Sequence, residues 1–144
     1  MKIGKDFIGI GGGALIFNKK KEILLLKRGS ESKNEVGMWS KPGGEIDFGE
    51  MTKEAVMREV LEETNLNIKI WGLLPHTDHI IKNDKQHWVA LNYLSNAVTE
   101  NFKNKEPGKC FEMKWFNLDE LPEHLAQTTK EAVENYLKGR YIKI

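Results

Sequence analysis

The residues best suited to chemistry in this chain crowd into one stretch, Gly44 to Leu66, GEIDFGEMTKEAVMREVLEETNL. Its acids include Glu50, Glu59, Glu62 and Glu63, and the last three fall within five residues. On a helix advancing about 100° per residue, Glu62 and Glu63 lie within about 60° of Glu59. Like charges so placed repel by a few tenths of a kcal/mol per pair even in water. Such a face is easier to keep with a counter-charge. All-oxygen donors suit a hard divalent cation, Mg²⁺ with Mn²⁺ as a substitute, and Mg²⁺ commonly takes one or two carboxylates plus substrate phosphates. A solvated acidic helix face accounts for the same acids without a metal, so the carboxylates alone leave both readings open.

Other chemically suggestive groups carry less. Gly9-Ile10-Gly11-Gly12-Gly13-Ala14 fits the dinucleotide fingerprint G-x-G-x-x-A. That fingerprint needs a preceding strand and an opening helix, and the sequence here supports neither. The small residues instead allow another group, a nucleobase for example, to approach a strand closely. His76 and His79 lack partner ligands at zinc spacing and read as structural or surface histidines. Lys19 to Lys21 read as a solvated turn. Cys110 has no paired His/Asn signature and is not taken as a nucleophile. Of Trp39, Trp71, Trp88 and Trp115, only Trp39, in a loop-like segment, is retained as a base-stacking candidate; the others read as core or interface.

The elements that must position the acids follow from pattern. Residues 7–17 and 22–27 read as two strands joined by the polar turn Asn18 to Lys21, an opening hairpin. Residues 28–44 are loop-like, with Gly29, Gly37, Pro42, Gly43 and Gly44. Gly49 to Thr64 reads as a helix on an apolar stripe of Val56, Met57, Val60 and Leu61, with Glu54 and Arg58 as an i,i+4 pair. Asn65 occupies the C′ position, where a left-handed residue is wanted and Asn is the best substitute for Gly. Strands are expected over 66–74, 77–82 and 86–98, with a turn at Asn83-Asp84. A polar loop over 99–110, a short strand from Lys114 to Phe116, a helical turn at Leu118 to Leu121 and a helix from Thr128 to Lys138 complete an α/β layered domain. The apolar 86–98 segment reads equally as core or as a homodimer interface.

Composition closes off several classes. The 144 residues suit a single domain, residues 1–144, with no linker or repeat. With 22 basic and 21 acidic side chains the net charge is +1, which argues against a nucleic-acid coat or a disordered polyanion. One cysteine argues against a disulfide framework. The start makes a poor signal peptide, and no run approaches the ~18 apolar residues of a membrane span. The expected setting is cytoplasmic, with neither a membrane nor a nucleic-acid polymer as partner.

The acidic stretch resembles the signature of the Nudix hydrolases: Gly, five residues, Glu, seven residues, Arg-Glu, an aliphatic, one residue, Glu-Glu, one residue, Gly, an aliphatic. Gly44, Glu50, Arg58, Glu59, Val60, Glu62, Glu63 and Leu66 match at the right spacing. Asn65 stands where the family usually has Gly. Flanking segments extend the resemblance over most of residues 8–138: Leu24 to Arg28, Trp39 to Gly44, and Glu112 to Phe116 with Asp119 to Pro122. Lys41 departs from it, standing where an apolar residue is more usual.

The resemblance implies an α/β/α sandwich with a mixed, largely antiparallel sheet. It implies Mg²⁺-dependent hydrolysis, by water attack on phosphorus, of a nucleoside diphosphate linked to another group. It makes Glu59, Glu62 and Glu63, with the Gly43 carbonyl, the metal ligands. Glu59 or Glu112 is the general base, Glu50 and Arg58 brace loop and helix, and Arg28 contacts phosphate beside Gly43 and Gly44. Phe48-Gly49-Glu50 and Glu106 to Cys110 are similar to a MutT-like branch. That branch converts nucleoside or pterin triphosphates, damaged or non-standard nucleotides among them, to monophosphate and pyrophosphate. ADP-ribose or a nucleotide sugar is the alternative substrate. A non-catalytic nucleotide-binding module is the alternative of another class, disfavoured by the complete set of box carboxylates and the absence of room for an effector domain.

Overall fold

Ala14-Leu15-Ile16-Phe17 and Ile23-Leu24-Leu25-Leu26 have no polar face, and a strand without a polar face must be covered on both sides. In the computed structural model, which describes residues 1–144, they lie in β1 (Gly9–Phe17) and β2 (Ile23–Arg28) at the middle of a sheet. Alternate residues leave in opposite directions. Ala14, Ile16, Leu24 and Leu26 join Val56, Val60 and Leu66 on one side. Leu15, Phe17, Ile23 and Leu25 join Ala132 and Val133 on the other. The first cluster belongs to helix α1 (Thr52–Thr64), the second to α2 (Gln127–Leu137). The layers are therefore helix, sheet, helix.

The remaining strands are β3 (Trp39–Ser40), β4 (Gly43–Glu45), β5 (Ile68–Leu73), β6 (Thr77–Ile81), β7 (Gln86–Ala97), β8 (Cys110–Phe116) and β9 (Ile142–Lys143). The main path runs β3-β2-β1-β7-β5-β9, while β4 pairs with β1, β6 with β7 and β8 with β2. Only β1 and β7 run parallel, from Gly9 opposite Trp88 to Phe17 opposite Asn96. Every other pairing between these strands is antiparallel. The mixed, largely antiparallel sheet is as expected.

Several boundaries differ from the sequence reading. α1 begins at Thr52 rather than Gly49, because Gly49 has φ +87° and sits in a turn closed by the Glu50 amide on the Asp47 carbonyl. The loop-like 28–44 segment contains β3 and the start of β4. β8 begins at Cys110, not Lys114. Leu118 to Leu121 is not helical: the Asn117 carbonyl and Oδ1 accept the Glu120 and Asp119 amides in a tight turn. Lys82–Asp84 forms one 3₁₀ turn, and β9 has too few residues to leave a pattern. Most of segment 86–98 is core rather than free surface: β7 has partners along both edges, and Trp88, Tyr93 and Leu94 are buried, while Val98 beyond its end is exposed.

The register of β4 on β1 builds the frame of the site. Gly11, Gly12 and Gly13 face Glu45, Gly44 and Gly43. A Cβ on Gly12 would lie 2.8 Å from Val56 Cγ2, and one on Gly43 would collide with the Gly12 carbonyl. The glycine run thus lets β4 and α1 close onto the sheet. Asn65, with φ +65°, ends α1 in the left-handed conformation, its amide donating to the Leu61 carbonyl.

Candidate functional site

Arg58 organises the acidic box. Its Nε donates to Glu50 Oε2 at 2.7 Å and its Nη2 to Glu50 Oε1 at 2.8 Å, a two-point fork. Nη1 donates to Glu59 Oε1 at 2.9 Å and to the Glu62 carboxylate at 3.2 and 3.3 Å. Nη2 also reaches the Glu45 carbonyl at 3.3 Å, and the guanidinium is 3.3 Å from Asp47 Oδ2. One cation thus ties the 45–50 loop to the helix. The fork and the Asp47 amide hold the Glu50 carboxyl down at about 2. The carboxylates in turn raise the pKa of Arg58.

Beside this hub lies a cavity of about 450 Å³, a size that suits a small-molecule ligand. Glu59 and Glu63 enter it from α1, and Glu106 from the 99–110 loop. Burial is the main cause that raises both helix carboxyls, and the neighbouring acids add to it; Glu63 is pushed up to about 8. Glu63 Oε1 accepts the Gly43 amide at 2.8 Å, which joins α1 to β4. Glu59 packs so closely over Gly44 that any Cβ there would strike its carboxylate. Partly buried carboxyls whose ionised forms are disfavoured by desolvation and by one another fit a site that receives positive charge, and their oxygens fit a hard divalent cation.

Glu59, Glu63, Gly43, Gly44 and Arg28 come together as expected. Others do not. Glu62 lies outside the cavity, half-exposed on Arg58, and no three acidic, His or Cys side chains converge at metal-ligating spacing. Glu50 and Arg58 also lie outside, as bracing residues should. Glu112 is exposed on β8, where Lys27 is its opposite, and does not face the cavity. Its place as the acid beyond the box falls to Glu106. Trp39 is carried by β3, not a loop, and stacks edge-on against Phe116, 5.0 Å between ring centroids. Its indole is spent on the core beside α2, which removes it as a base-stacking surface.

Cations share the cavity with these acids, and one of them, Lys33, is ion-paired with Glu45. Arg28, at the end of β2, is fixed by its Nε on the Asn34 carbonyl at 2.8 Å and its Nη2 on Asn34 Oδ1 at 3.2 Å, leaving Nη1 free. Lys33 and Lys109 also line the space. Farther along are Glu35, Lys41, His79 and Thr128, none of them assigned a role from sequence. His79 is buried with Nε2 3.3 Å from Glu35 Oε1, and burial lowers its pKa. Burial likewise brings Lys41 down to about 7, the Glu35 carboxylate opposing the shift. The one signal in the sequence was Lys41 itself, a cation where an apolar side chain is usual. Glu106 lies in the segment that resembles the MutT-like branch and His79 in the His76/His79 pair, but neither pattern pointed to this cavity.

Comparison with known proteins agrees with this geometry. A Burkholderia pseudomallei MutT Nudix hydrolase of known structure superposes with a TM-score of 0.81 at 37% identity, covering 88% of this chain and 96% of that one. A Bacillus subtilis protein named "Putative 8-oxo-dGTP diphosphatase" is 26% identical over 129 residues, 90% of this chain and 80% of its own. A Methanocaldococcus jannaschii ADP-ribose pyrophosphatase is 29% identical over 125 residues, 87% of this chain and 71% of its own. Residues 9–136 match the Nudix domain. With the helix–sheet–helix layers and the Arg58-braced acidic helix, this match makes the chain a MutT-like member of the Nudix family, hydrolases of phosphoanhydride bonds.

Proposed function

We propose that this chain, acting as one catalytic domain, hydrolyses a nucleoside triphosphate to monophosphate and pyrophosphate with Mg²⁺ in place, damaged or non-standard nucleotides being included. One observation carries the reading: a single cavity is lined by Glu59, Glu63 and Glu106 together with Arg28, Lys33 and Lys109. A polyphosphate needs both kinds of group, cations for its oxygens and acids for the metal that accompanies it.

Glu59, Glu63 and the Gly43 carbonyl are the groups that would hold the cation. Glu62 is the least committed addition, since its bonds to Arg58 are 3.2 and 3.3 Å long. The cation, when bound, polarises the phosphoryl group and makes bound water more acidic. The chain's own groups do the rest. The free Nη1 of Arg28 is offered to phosphate oxygens, while Asn34 keeps the guanidinium plane fixed. Glu106, or Glu59, takes the proton from the attacking water; both face the cavity and neither needs to cross it.

The test is a nucleotide screen with Mg²⁺ in which phosphate and pyrophosphate are read separately. Pyrophosphate with a nucleoside monophosphate is expected. AMP with ribose 5-phosphate from ADP-ribose, and no action on triphosphates, would transfer the site to the activity named for the Methanocaldococcus relative. Binding without turnover would make it a non-catalytic module.

A further inference from the structure

Lys41 Nζ is held on Thr128 Oγ1, and the Glu35 carboxylate on His79 and the Gln127 amide, so these groups gather at the start of α2. Glu63 is held instead on the Gly43 amide and shares helix α1 with Glu59. The cavity thus has a metal-and-phosphate end at α1 and a second end formed by Lys41, Glu35, His79 and Thr128. Reading the first end as the triphosphate site leaves the second for the nucleobase, and the inference rests on that reading.

The second end is built but incompletely satisfied. The Lys41 stem runs over Gly13, where a Cβ would lie 3.1 Å from Lys41 Cε. Its Nζ donates once, to Thr128 Oγ1 at 2.9 Å, and no carboxylate lies within ion-pair distance of it. An ammonium has three donors, so two have no protein partner although the residue is only 8% exposed. The adjacent Ser40 Oγ is buried with no partner at all. Buried donors left unpaired are costly, and native structures seldom keep them without a ligand or water to meet them. Glu35 lines the same cavity and supplies an acceptor. Its Oε1 is on His79 and its Oε2 accepts the Gln127 amide at 2.9 Å, which fixes the carboxylate and leaves lone pairs free.

We propose that Lys41 and Glu35 select a nucleobase whose edge presents a keto oxygen next to a ring N–H, the oxygen accepting from Lys41 Nζ and the N–H donating to Glu35. A base with an exocyclic amine and a bare ring nitrogen places donor against donor at Lys41 and acceptor against acceptor at Glu35. Once the base covers Lys41 and Glu35, both mismatches leave polar groups unpaired away from water, which is the condition for strong discrimination.

Inosine and adenosine nucleotides test this, since they differ only in having keto and N–H, or amine and bare nitrogen, on that edge. Two readouts are taken: kcat/KM for the triphosphates with Mg²⁺, and calorimetric Kd for the monophosphates without metal. The wild-type protein is expected to favour inosine by about 10- to 100-fold in both. Lys41→Met should bring the ratio to within about twofold. Lys41→Leu repeats the test, and both replace a buried charge with an apolar side chain, a change that seldom unfolds a protein. A wild-type preference for adenosine, equal or absent binding of the two monophosphates, or an inosine preference that survives in both variants would overturn the proposal. Monophosphate selectivity that depends on Lys41 in a protein that hydrolyses neither triphosphate would leave this inference standing and remove the triphosphatase reading instead.

Discussion

Arg58 is asked to do what several residues usually share: one guanidinium holds Glu50, Glu59 and Glu62 and the Glu45 carbonyl. A lysine keeps the charge but not the planar fork. Arg58→Lys should therefore loosen Mg²⁺ binding and activity by about 10- to 100-fold, as loss of a residue supporting metal ligands does. Metal titration together with steady-state kinetics measures it, and unchanged affinity would show that the hub does not orient Glu59. Glu63 makes a pH prediction. Its folded pKa of about 8 lies above the ordinary carboxylate value of 4.5, so the folded state holds this proton more tightly than the unfolded chain. That contribution to stability is full below about 4.5 and is lost as pH rises through about 8. Metal-free protein should thus melt lower at pH 8 than at pH 6 on account of Glu63, and Mg²⁺ should restore more at pH 8, where less proton must be displaced. Thermal denaturation at the two pH values, with chelator or with Mg²⁺, reads this directly, and Glu63→Gln should flatten the metal-free difference.

At the level of elements, the two ends of the catalytic helix are set by backbone conformation. Asn65 has φ +65°, a region in which an ordinary Cβ costs about 1 kcal/mol. Asn65→Ala should lower unfolding free energy by about 1 kcal/mol, and Asn65→Gly should leave it equal or slightly raised, with kcat unchanged in both; denaturant unfolding and turnover check the pair. At the other face, the Gly44 backbone abuts the Glu59 carboxylate. Gly44→Ala must push that carboxylate aside, and the expected outcome is a folded protein that has lost metal-dependent hydrolysis. Full activity in Gly44→Ala would mean Glu59 is free to reposition.

Taken whole, the molecule is a sheet covered on both faces, and its two apolar clusters are separated by the sheet itself. Val60 of α1 and Val133 of α2 belong to opposite clusters. Each Val→Ala change should cost roughly 2 kcal/mol, and the double variant close to the sum, because the sites share no partner. Strong non-additivity in urea unfolding would show coupling through the sheet. Charge is divided just as unevenly. Glu45 to Glu63 holds seven acids against two bases, a local −5 in a chain of net +1, which leaves +6 for the rest. Part of that excess, Arg28, Lys33 and Lys109, lines the same cavity as the acids.

The sequence by itself determined the box, the helix that carries it, the left-handed Asn65 and the two-faced central strands. Each of these depends on neighbours along the chain: residue spacing on one helix, one backbone angle, one alternation. What it placed wrongly depends on neighbours in space. Trp39 looked free because β3 has two residues and takes its definition from β2 and Phe116. Glu112 looked like a candidate base because its side of β8 is decided by the pairing with Lys27. Glu35 and Thr128 had no signal, and those that touched Glu106 and His79 did not point to this cavity, for the four converge from a loop, a second loop, β6 and α2. A glycine run that read as room for a ligand proved also to be room for α1 and β4, a distinction only the packed sheet could make.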